Sequence, residues 1–380
     1  MPRRTASLAA LGLGVVTTLA IGGWYAADST AGGRTRTYYV GADEIEWDYA
    51  PGGTNAITGT AYEGLQKMLV TASPERIGKV YRKAIYREYT DSSFSALKPR
   101  PAAWEHLGIL GPLLRAEVGD TIRVVFRNNG THPYSLHPHG VIYTKSSEGA
   151  PYADGTSAAD KADDAVPPGG THVYVWPVPP RAGPAPGEGS SIIWMYHSHS
   201  DETKDVNAGL LGPLIVTAKG AARADGTPKD VDRELVTLFG EFDENVSWYF
   251  EHNAKTYADS AKVPRNLTFA DPGYLVNLRE TINGFSFGNA PGLTMQKGER
   301  VRWYVFANSN FEIHTPHWHG QTVVAHHMRT DMVHLMAMQM LVADMVPDNP
   351  GVWMFHCHVA PHLDAGMQAL FTVSERVAGR

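Results

Sequence analysis

Two stretches of this chain follow one plan. The first reads "GPLLRAEVGDTIRVVFRN", then "YSLHPHG", then "IIWMYHSHSDETKDVNAGLLGPLIVT"; the second reads "GLTMQKGERVRWYVFAN", then "HTPHWHG", then "GVWMFHCHVAPHLDAGMQALFTV". A sequence that repeats itself over this length folds as two similar units. Runs such as "VGDTIRVVF" and "KGERVRWYVF" alternate apolar and polar residues with the period of half-buried strands, and no long stretch carries helical periodicity. The expectation is an all-β chain of two Greek-key β-sandwich domains. The first spans residues 32–220 and the second 230–380, joined near the polar stretch "AKGAARADGTPKD".

Each unit carries two H-x-H pairs: His137/His139 and His197/His199 in the first, His317/His319 and His356/His358 in the second. Positions i and i+2 of a strand project to one face, so each pair aims two imidazoles at a common point. One such pair is weak evidence for a ligand set; four at equivalent places in a repeat are not chance. Eight imidazoles exceed what one tetrahedral zinc site can use. Imidazole-rich sites with open positions suit copper, iron or zinc.

The only cysteine, Cys357, narrows the choice. It stands between His356 and His358 and therefore points to the face opposite theirs. With His314, His362 and Met367 it makes a His₂Cys set with a weak thioether, the blue-copper arrangement. Cys357 then binds one copper while its chain neighbours bind others, which makes the peptide a short wire between two centres. The first unit has Ser198, Tyr134 and Leu210 where Cys357, His314 and Met367 stand, and no histidine in place of His362. It keeps half of the histidine cluster and lacks the blue-copper centre.

Composition excludes several other classes. A net charge of −6 leaves no basic footprint for nucleic acid. One cysteine cannot form a disulfide within the chain. The N-terminal residues 1–31 place Arg3 and Arg4 before an apolar stretch and then small residues, the plan of an export signal or an N-terminal anchor, so an exported protein is expected.

These motifs resemble those of the multicopper oxidases, in particular two-domain bacterial laccases with the blue copper in the second domain. "YYVGADEIEWDYA", "MYHSHSDETKDVNAGLLGPLIV", "FDENVSWYFE" and "INGFSFGNAPGLTM" are also similar to ceruloplasmin and the A domains of coagulation factors V and VIII. The resemblance runs from about Arg36 to Val373 and implies two cupredoxin-like domains. It assigns His314, Cys357, His362 and Met367 to type 1 copper, His137 and His317 to type 2, and His139, His197, His199, His319, His356 and His358 to the type 3 pair. Each functional unit then holds four coppers: one type 1, one type 2 and two type 3. The implied activity is one-electron oxidation of a donor at type 1 copper, coupled to reduction of O₂ to water at the trinuclear cluster. Phenols and aromatic amines are the expected donors, and Fe(II) or Cu(I) the alternative. A copper nitrite reductase needs fewer histidines and carries its cysteine in the first domain. A non-catalytic copper protein tolerates missing ligands, and none is missing here.

The same resemblance extends to other residues. Glu148 and Tyr143 correspond to a proton-relaying carboxylate and a tyrosine near type 2 copper. Pro361 stands where relatives carry a second relay acid or an iron-site aspartate, which leaves Asp201 as the candidate relay and Glu280 as a partial iron-site substitute. "KSSEG" and "DKADD" imply a calcium site built from the Lys145 carbonyl, Asp160, Asp163 and Asp164. Because each domain supplies half of the cluster, a head-to-tail homotrimer is implied, with each cluster shared between neighbouring chains. His106, His132, His172 and His252 are expected to be structural or superficial. The six methionines within residues 325–345 are expected to fill core space.

Overall fold

The computed structural model describes residues 33–376 apart from 269, 272 and 309–311; the expected leader, residues 1–31, lies outside the described residues. The first half contributes β1 (Thr35–Asp48), β2 (Val80–Tyr89), β3 (Leu114–Glu117), β4 (Thr121–Asn128), β5 (His137–Pro138), β6 (Thr171–Pro177), β7 (Ser191–His197) and β8 (Leu211–Thr217). They form two sheets in the orders β2-β1-β4-β6 and β3-β8-β7-β5. The second half contributes β9 (Arg233–Asp243), β10 (Leu278–Ile282), β11 (Thr294–Gln296), β12 (Val301–Ala307), β13 (Pro316–Trp318), β14 (Val323–Ala325), β15 (Met328–Thr330), β16 (Met340–Met345), β17 (Gly351–Cys357) and β18 (Gln368–Ser374). Their sheets run β10-β9-β12-β16-β14-β15 and β11-β18-β17-β13. Strand for strand the two orders coincide, and the second half adds the β14–β15 hairpin at one edge. The repeat read in the sequence is therefore a repeat of topology.

Side-chain burial follows the strand period. Along β4 intermediate and buried positions alternate without a break, and β16 does the same. β8 and β12 are buried throughout, because both faces are covered. Tyr86, Phe126, Tyr174 and Trp176 fill the core of the first half, and Trp303, Trp318, Phe355 and Phe371 that of the second.

A third core lies where the halves meet, with Tyr49, Tyr81 and Ile109 packed on Phe242, Tyr304 and Phe306. Polar bonds cross the same seam. Lys83 and Glu244, both fully buried, are in contact; Tyr49 donates to Glu244 at 2.6 Å, and within the first half Lys83 also donates to the Asn207 carbonyl at 2.6 Å. Arg115 grips Glu234 through two bonds of 3.0 and 2.8 Å. A buried pair of this kind adds little net stability, but removing one partner costs about 3–5 kcal/mol.

The methionine-rich stretch departs from its expected role. Met328 and Met336 are 66% and 61% exposed, and of the six only Met345 is buried. The reason is position. Met328 lies in the edge hairpin of β14 and β15, which turns through His326 and His327 at φ 48° and 62°, whereas Met338 and Met340 are partly buried against the core described above.

His106 is fully buried at the seam, with Nε2 accepting from the Val236 amide at 3.2 Å and its carbonyl accepting from Asn283. Burial pushes its pKa down to about 4, below the value near 6.5 expected in the unfolded chain. Its contribution is therefore present above pH 6.5 and lost as pH falls toward 4, on the order of 3 kcal/mol in all. Denaturant unfolding of His106→Gln at pH 7.5 and pH 5 should show a smaller drop in stability than wild type across that interval. Equal drops would remove His106 as a source of acid sensitivity.

Candidate metal centres

Sheet register brings the histidines together. β5 pairs with β7 so that His137 lies opposite His197, and β13 pairs with β17 so that His317 lies opposite His356. In the first quartet His139 Nε2 and His197 Nε2 are 3.2 Å apart, and the ring of His137 lies 5.2 Å from that of His199. In the second, His356 Nε2 is 3.0 Å from His319 Nε2 and 3.2 Å from His317 Nδ1, and His358 lies 5.3 Å from His317 between ring centres.

Backbone carbonyls set the ring orientation. Nδ1 of His137 donates to Glu148 O (2.7 Å), Nδ1 of His197 to Ser198 O (3.0 Å) and Nδ1 of His356 to Cys357 O (2.8 Å). Each bond leaves Nε2 as the free lone pair, the usual way a ligating imidazole is fixed. Burial, followed by the neighbouring imidazoles, lowers the pKa of His139 to about 4 and of His197 to about 3. Burial likewise brings His356 down to about 4. The rings are held neutral, as ligands must be.

Cys357 points to the other face of β17, into the core. Its Sγ lies 3.8 Å from His314 Nδ1 and 3.5 Å from His362 Nδ1, and those two nitrogens are 3.1 Å apart. His314, Cys357 and Met367 are fully buried and His362 nearly so. Burial pushes the His314 pKa down to about 3 and the Cys357 thiol up. Two ring nitrogens and a sulfur converging in a dry pocket fit a soft transition metal, and copper in particular.

The first half shows what replaces this site. The chain also forms α1 (Gly64–Val70) and α3 (Phe250–Tyr257). The helix α2 (Glu202–Ala208) and its counterpart α4 (Ala360–Ala365) both close on a left-handed glycine, Gly209 and Gly366, at φ 117°. The amide of Gly209 donates to Asp205 O, and that of Gly366 to His362 O. Asp205 therefore occupies the place of His362, which the sequence comparison left without a counterpart because α2 is preceded by two extra residues. Asp205 is fully buried and accepts from Ser198 Oγ (2.6 Å), Trp248 Nε1 (2.8 Å) and the Asp201 amide (3.0 Å). Burial still pushes its pKa up to about 6. Tyr134, standing for His314, shares a 2.8 Å bond with Tyr249.

The acids and the remaining candidates are arranged as follows. Tyr143 packs edge-on against His137 with ring centres 5.7 Å apart, and these two line a cavity of 390 Å³ with His139 and Arg181. Glu148 holds His137 through its carbonyl, but its carboxylate takes bonds from Lys145 (2.7 Å) and Tyr152 (2.8 Å). Burial opposes those bonds, and they win, so its pKa lies below the usual value. Asp201 does not face the histidines: its side chain caps α2 and pairs with Lys204 at 2.6 Å. Two acids not singled out from the sequence do. Glu202 lies 3.3 Å from His199 Nε2 and 3.9 Å from His197 Nε2, and Asp331 lies 3.6 Å from His317 Nε2. In the expected calcium loop, Asp163 is fully buried and accepts from the Gly149 amide through Oδ2, while Oδ1 has no hydrogen-bond partner. Asp164 is nearly buried, Asp160 bonds Ser157, and Lys145 and Lys161 both turn to Asp154.

A carboxylate cluster adjoins the sulfur site. Glu280 and Glu241 stand directly opposite each other across β10 and β9, both 4% exposed. Glu280 Oε2 has no hydrogen-bond partner, and burial, then Glu241, then Glu312 push its pKa well above the usual range. Ligand atoms of Glu241, Glu312 and His362 lie within 4.8 Å of one another. Glu312 is in contact with His362 Nε2. Burial and the two acidic neighbours favour the neutral form of Glu280, and a cation bound beside it would favour the charged form. Glu280 was read from the sequence as a partial iron-site residue; Glu241 and Glu312 were not.

Comparison with known proteins follows this geometry. Residues 90–221 and 252–377 match two family models, each described as "Multicopper oxidase". Ferroxidase HEPHL1 of Homo sapiens is 44% identical over 344 residues, which is 89% of this chain and 29% of that protein. Hephaestin of Homo sapiens is 42% identical (90% of this chain, 29% of that protein), and ceruloplasmin of Rattus norvegicus is 40% identical (91% and 32%). The chain thus spans roughly a third or less of the length of these relatives. A crystal structure of a multicopper oxidase superposes with TM-score 0.57 at 20% identity, covering 90% of both chains. The blue copper oxidase from Nitrosomonas europaea superposes with TM-score 0.56 at 19% identity, covering 90% of this chain and 86% of that one. These two likenesses concern the fold.

Proposed function

The chain belongs to the multicopper oxidase family, and from that premise we propose that it couples one-electron oxidation of a small metal ion, Fe(II) foremost, to the reduction of O₂ to water. The observation that carries the choice of donor is Glu312 against His362 Nε2, with Glu241 and Glu280 behind it. Phenols and aromatic amines need the free edge of a copper-ligating imidazole. Here Glu312 occupies the outward nitrogen of His362, and His314 is fully buried. Carboxylate oxygens favour a hard divalent ion over Cu(I). The ferroxidase relatives support the same donor class.

Copper, when bound, supplies single-electron transfer at the sulfur site and dioxygen reduction at the histidines. In this reading His314, Cys357, His362 and Met367 hold type 1 copper. His137 and His317 serve type 2, and His139, His197, His199, His319, His356 and His358 the type 3 pair, four coppers in all. Cys357 and its neighbours His356 and His358 join the two sites through a single peptide segment. Tyr143 packs His137, and Glu148 fixes its tautomer. Glu202 and Asp331 take the proton-delivering role expected of Asp201, since they lie beside cluster imidazoles.

The cluster is proposed to form between chains of a head-to-tail homotrimer. Among the described residues, no histidine of one quartet has a ring contact or hydrogen bond with one of the other. Each quartet alone is half of the proposed ligand set, and a heterologous interface that closes at three-fold rotation completes it. A calcium ion is proposed at Asp160, Asp163, Asp164 and the Lys145 carbonyl; the unpartnered Oδ1 of fully buried Asp163 supports it.

Three measurements test these readings. Steady-state oxidation of Fe(II) by Glu241→Gln should show KM raised on the order of tenfold while turnover of a methoxyphenol is unchanged. A wild type that oxidises the phenol far faster than Fe(II) would return the donor to the aromatic class. Separately assembled His137→Ala and Cys357→Ser proteins should be inactive, the first blue and the second colourless. Co-assembled, they should regain activity, because one junction of each mixed ring joins an intact first half to an intact second half. No recovery, or full activity in a species near the 41.4 kDa chain mass, would rule out the shared cluster. Titration calorimetry should detect Ca²⁺ binding that Asp163→Asn abolishes; no heat with wild type would end the calcium proposal.

A further inference from the structure

The donor site and the sulfur site meet at one side chain. His362 presents Nδ1 to Cys357 Sγ at 3.5 Å and to His314 Nδ1 at 3.1 Å, while its Nε2 contacts Glu312. A carboxylate that accepts the distal N–H of a ligating imidazole makes the ring a stronger donor. A stronger donor and a nearby negative charge both favour the more highly charged, oxidised ion, and so lower its reduction potential. Glu312 is 34% exposed at its side chain, whereas His362 is 3% exposed. The carboxylate thus spans the boundary between the acidic cluster and the buried ligand set.

We propose that Glu312 couples occupancy of the donor site to the reduction potential of the copper held by His314, Cys357 and His362. With the donor site vacant, the charge of Glu312 acts on His362 and holds the potential low. A divalent cation seated on Glu241 and Glu312, with Glu280 behind, draws on that charge and weakens its pull on the His362 N–H. Its own charge also disfavours the oxidised copper. Both effects raise the potential, so the donor improves its own electron acceptor by binding. The buried Glu280–Glu241 opposition across β9 and β10, with Glu280 Oε2 unpartnered, supplies the independent reason for a cation there. The inference rests on the metal-ion reading of the donor. Linkage fixes its counterpart: the cation binds more tightly to the reduced enzyme, by the same factor that shifts the copper.

Zn²⁺, which is redox-inert, is the probe, and the copper-loaded enzyme is the sample. A redox titration followed by the blue absorption should show a higher potential with Zn²⁺ than without. Calorimetry should give a Zn²⁺ affinity on the order of tenfold greater for the reduced enzyme. Glu312→Gln should raise the zinc-free potential and shrink the shift produced by saturating Zn²⁺, with its blue band reporting an intact site. Glu241→Gln, which does not touch the His362 N–H, should weaken Zn²⁺ binding and raise the zinc-free potential by less than Glu312→Gln does. Zinc that binds without moving the potential, or a Glu312→Gln potential equal to wild type, overturns the coupling and leaves the donor site standing. No Zn²⁺ binding to wild type at all overturns the donor site and the coupling together.

Discussion

Neighbouring side chains of an extended strand leave the backbone on opposite sides, and everything else in this protein depends on that constraint. On β17 it sends His356 toward the histidine quartet and Cys357 into the core, one peptide apart. The pairing of β13 with β17 then sets His317 against His356 and Pro316 against Cys357. A slip of one residue in that register would exchange the faces and dismantle both sites together. The sheet is fixed against such a slip by the core it covers: Trp318 stacks on Phe355 at 4.9 Å, and Phe355 packs on Trp303 at 5.0 Å. Two centres of different chemistry are held at one spacing because one strand carries both.

The first half is a control on this interpretation. It has the same strand order and keeps its four histidines, yet the residue that follows β7 in place of Cys357 is Ser198. Loss of a metal site leaves a buried space lined by positions that once required polar atoms, and such atoms must find partners. Here Ser198, Asp205 and Trp248 satisfy one another, Tyr134 bonds Tyr249, and Leu210 replaces the thioether with plain apolar volume. Burial raises the pKa of Asp205 to about 6 even with three donors in place, because a charge is costly at that point. A neutral sulfur–imidazole set suits such a pocket better than a carboxylate does, and a hydrogen-bonded carboxylate better than a vacancy.

What could be read from the sequence was whatever follows from local period and from repetition. The two-unit plan, the paired imidazoles and the opposed Cys357 are properties of short segments, and the sheets keep them. The residues that escaped notice depend on distant pairing or on a shifted spacing. Asp205 was hidden because the extra residues before α2 displace it from the position of His362. Glu202 and Asp201 are adjacent, and only the turn into α2 decides which one faces the histidines. Glu241 reaches Glu280 through the β9–β10 pairing and reaches Glu312 only through the packing of the whole second half. One local clue to Glu312 existed: it stands two residues before His314, on the approach to a ligand. The exposed methionines were misjudged because composition cannot tell an edge hairpin from a covered strand.

The seam between the halves is both apolar and charged. Lys83 with Glu244 and Arg115 with Glu234 lie inside the apolar contact of Tyr49, Tyr81, Tyr304 and Phe306. Pulling the halves apart would expose that apolar surface and strand buried charges, each of which is expensive without its partner. The two quartets are therefore carried by halves that share a buried apolar and charged seam. In the proposed assembly, the half of each cluster that one quartet lacks is supplied by a neighbouring chain. Each buried pair at the seam adds little net stability, yet losing either partner would leave a buried charge without compensation.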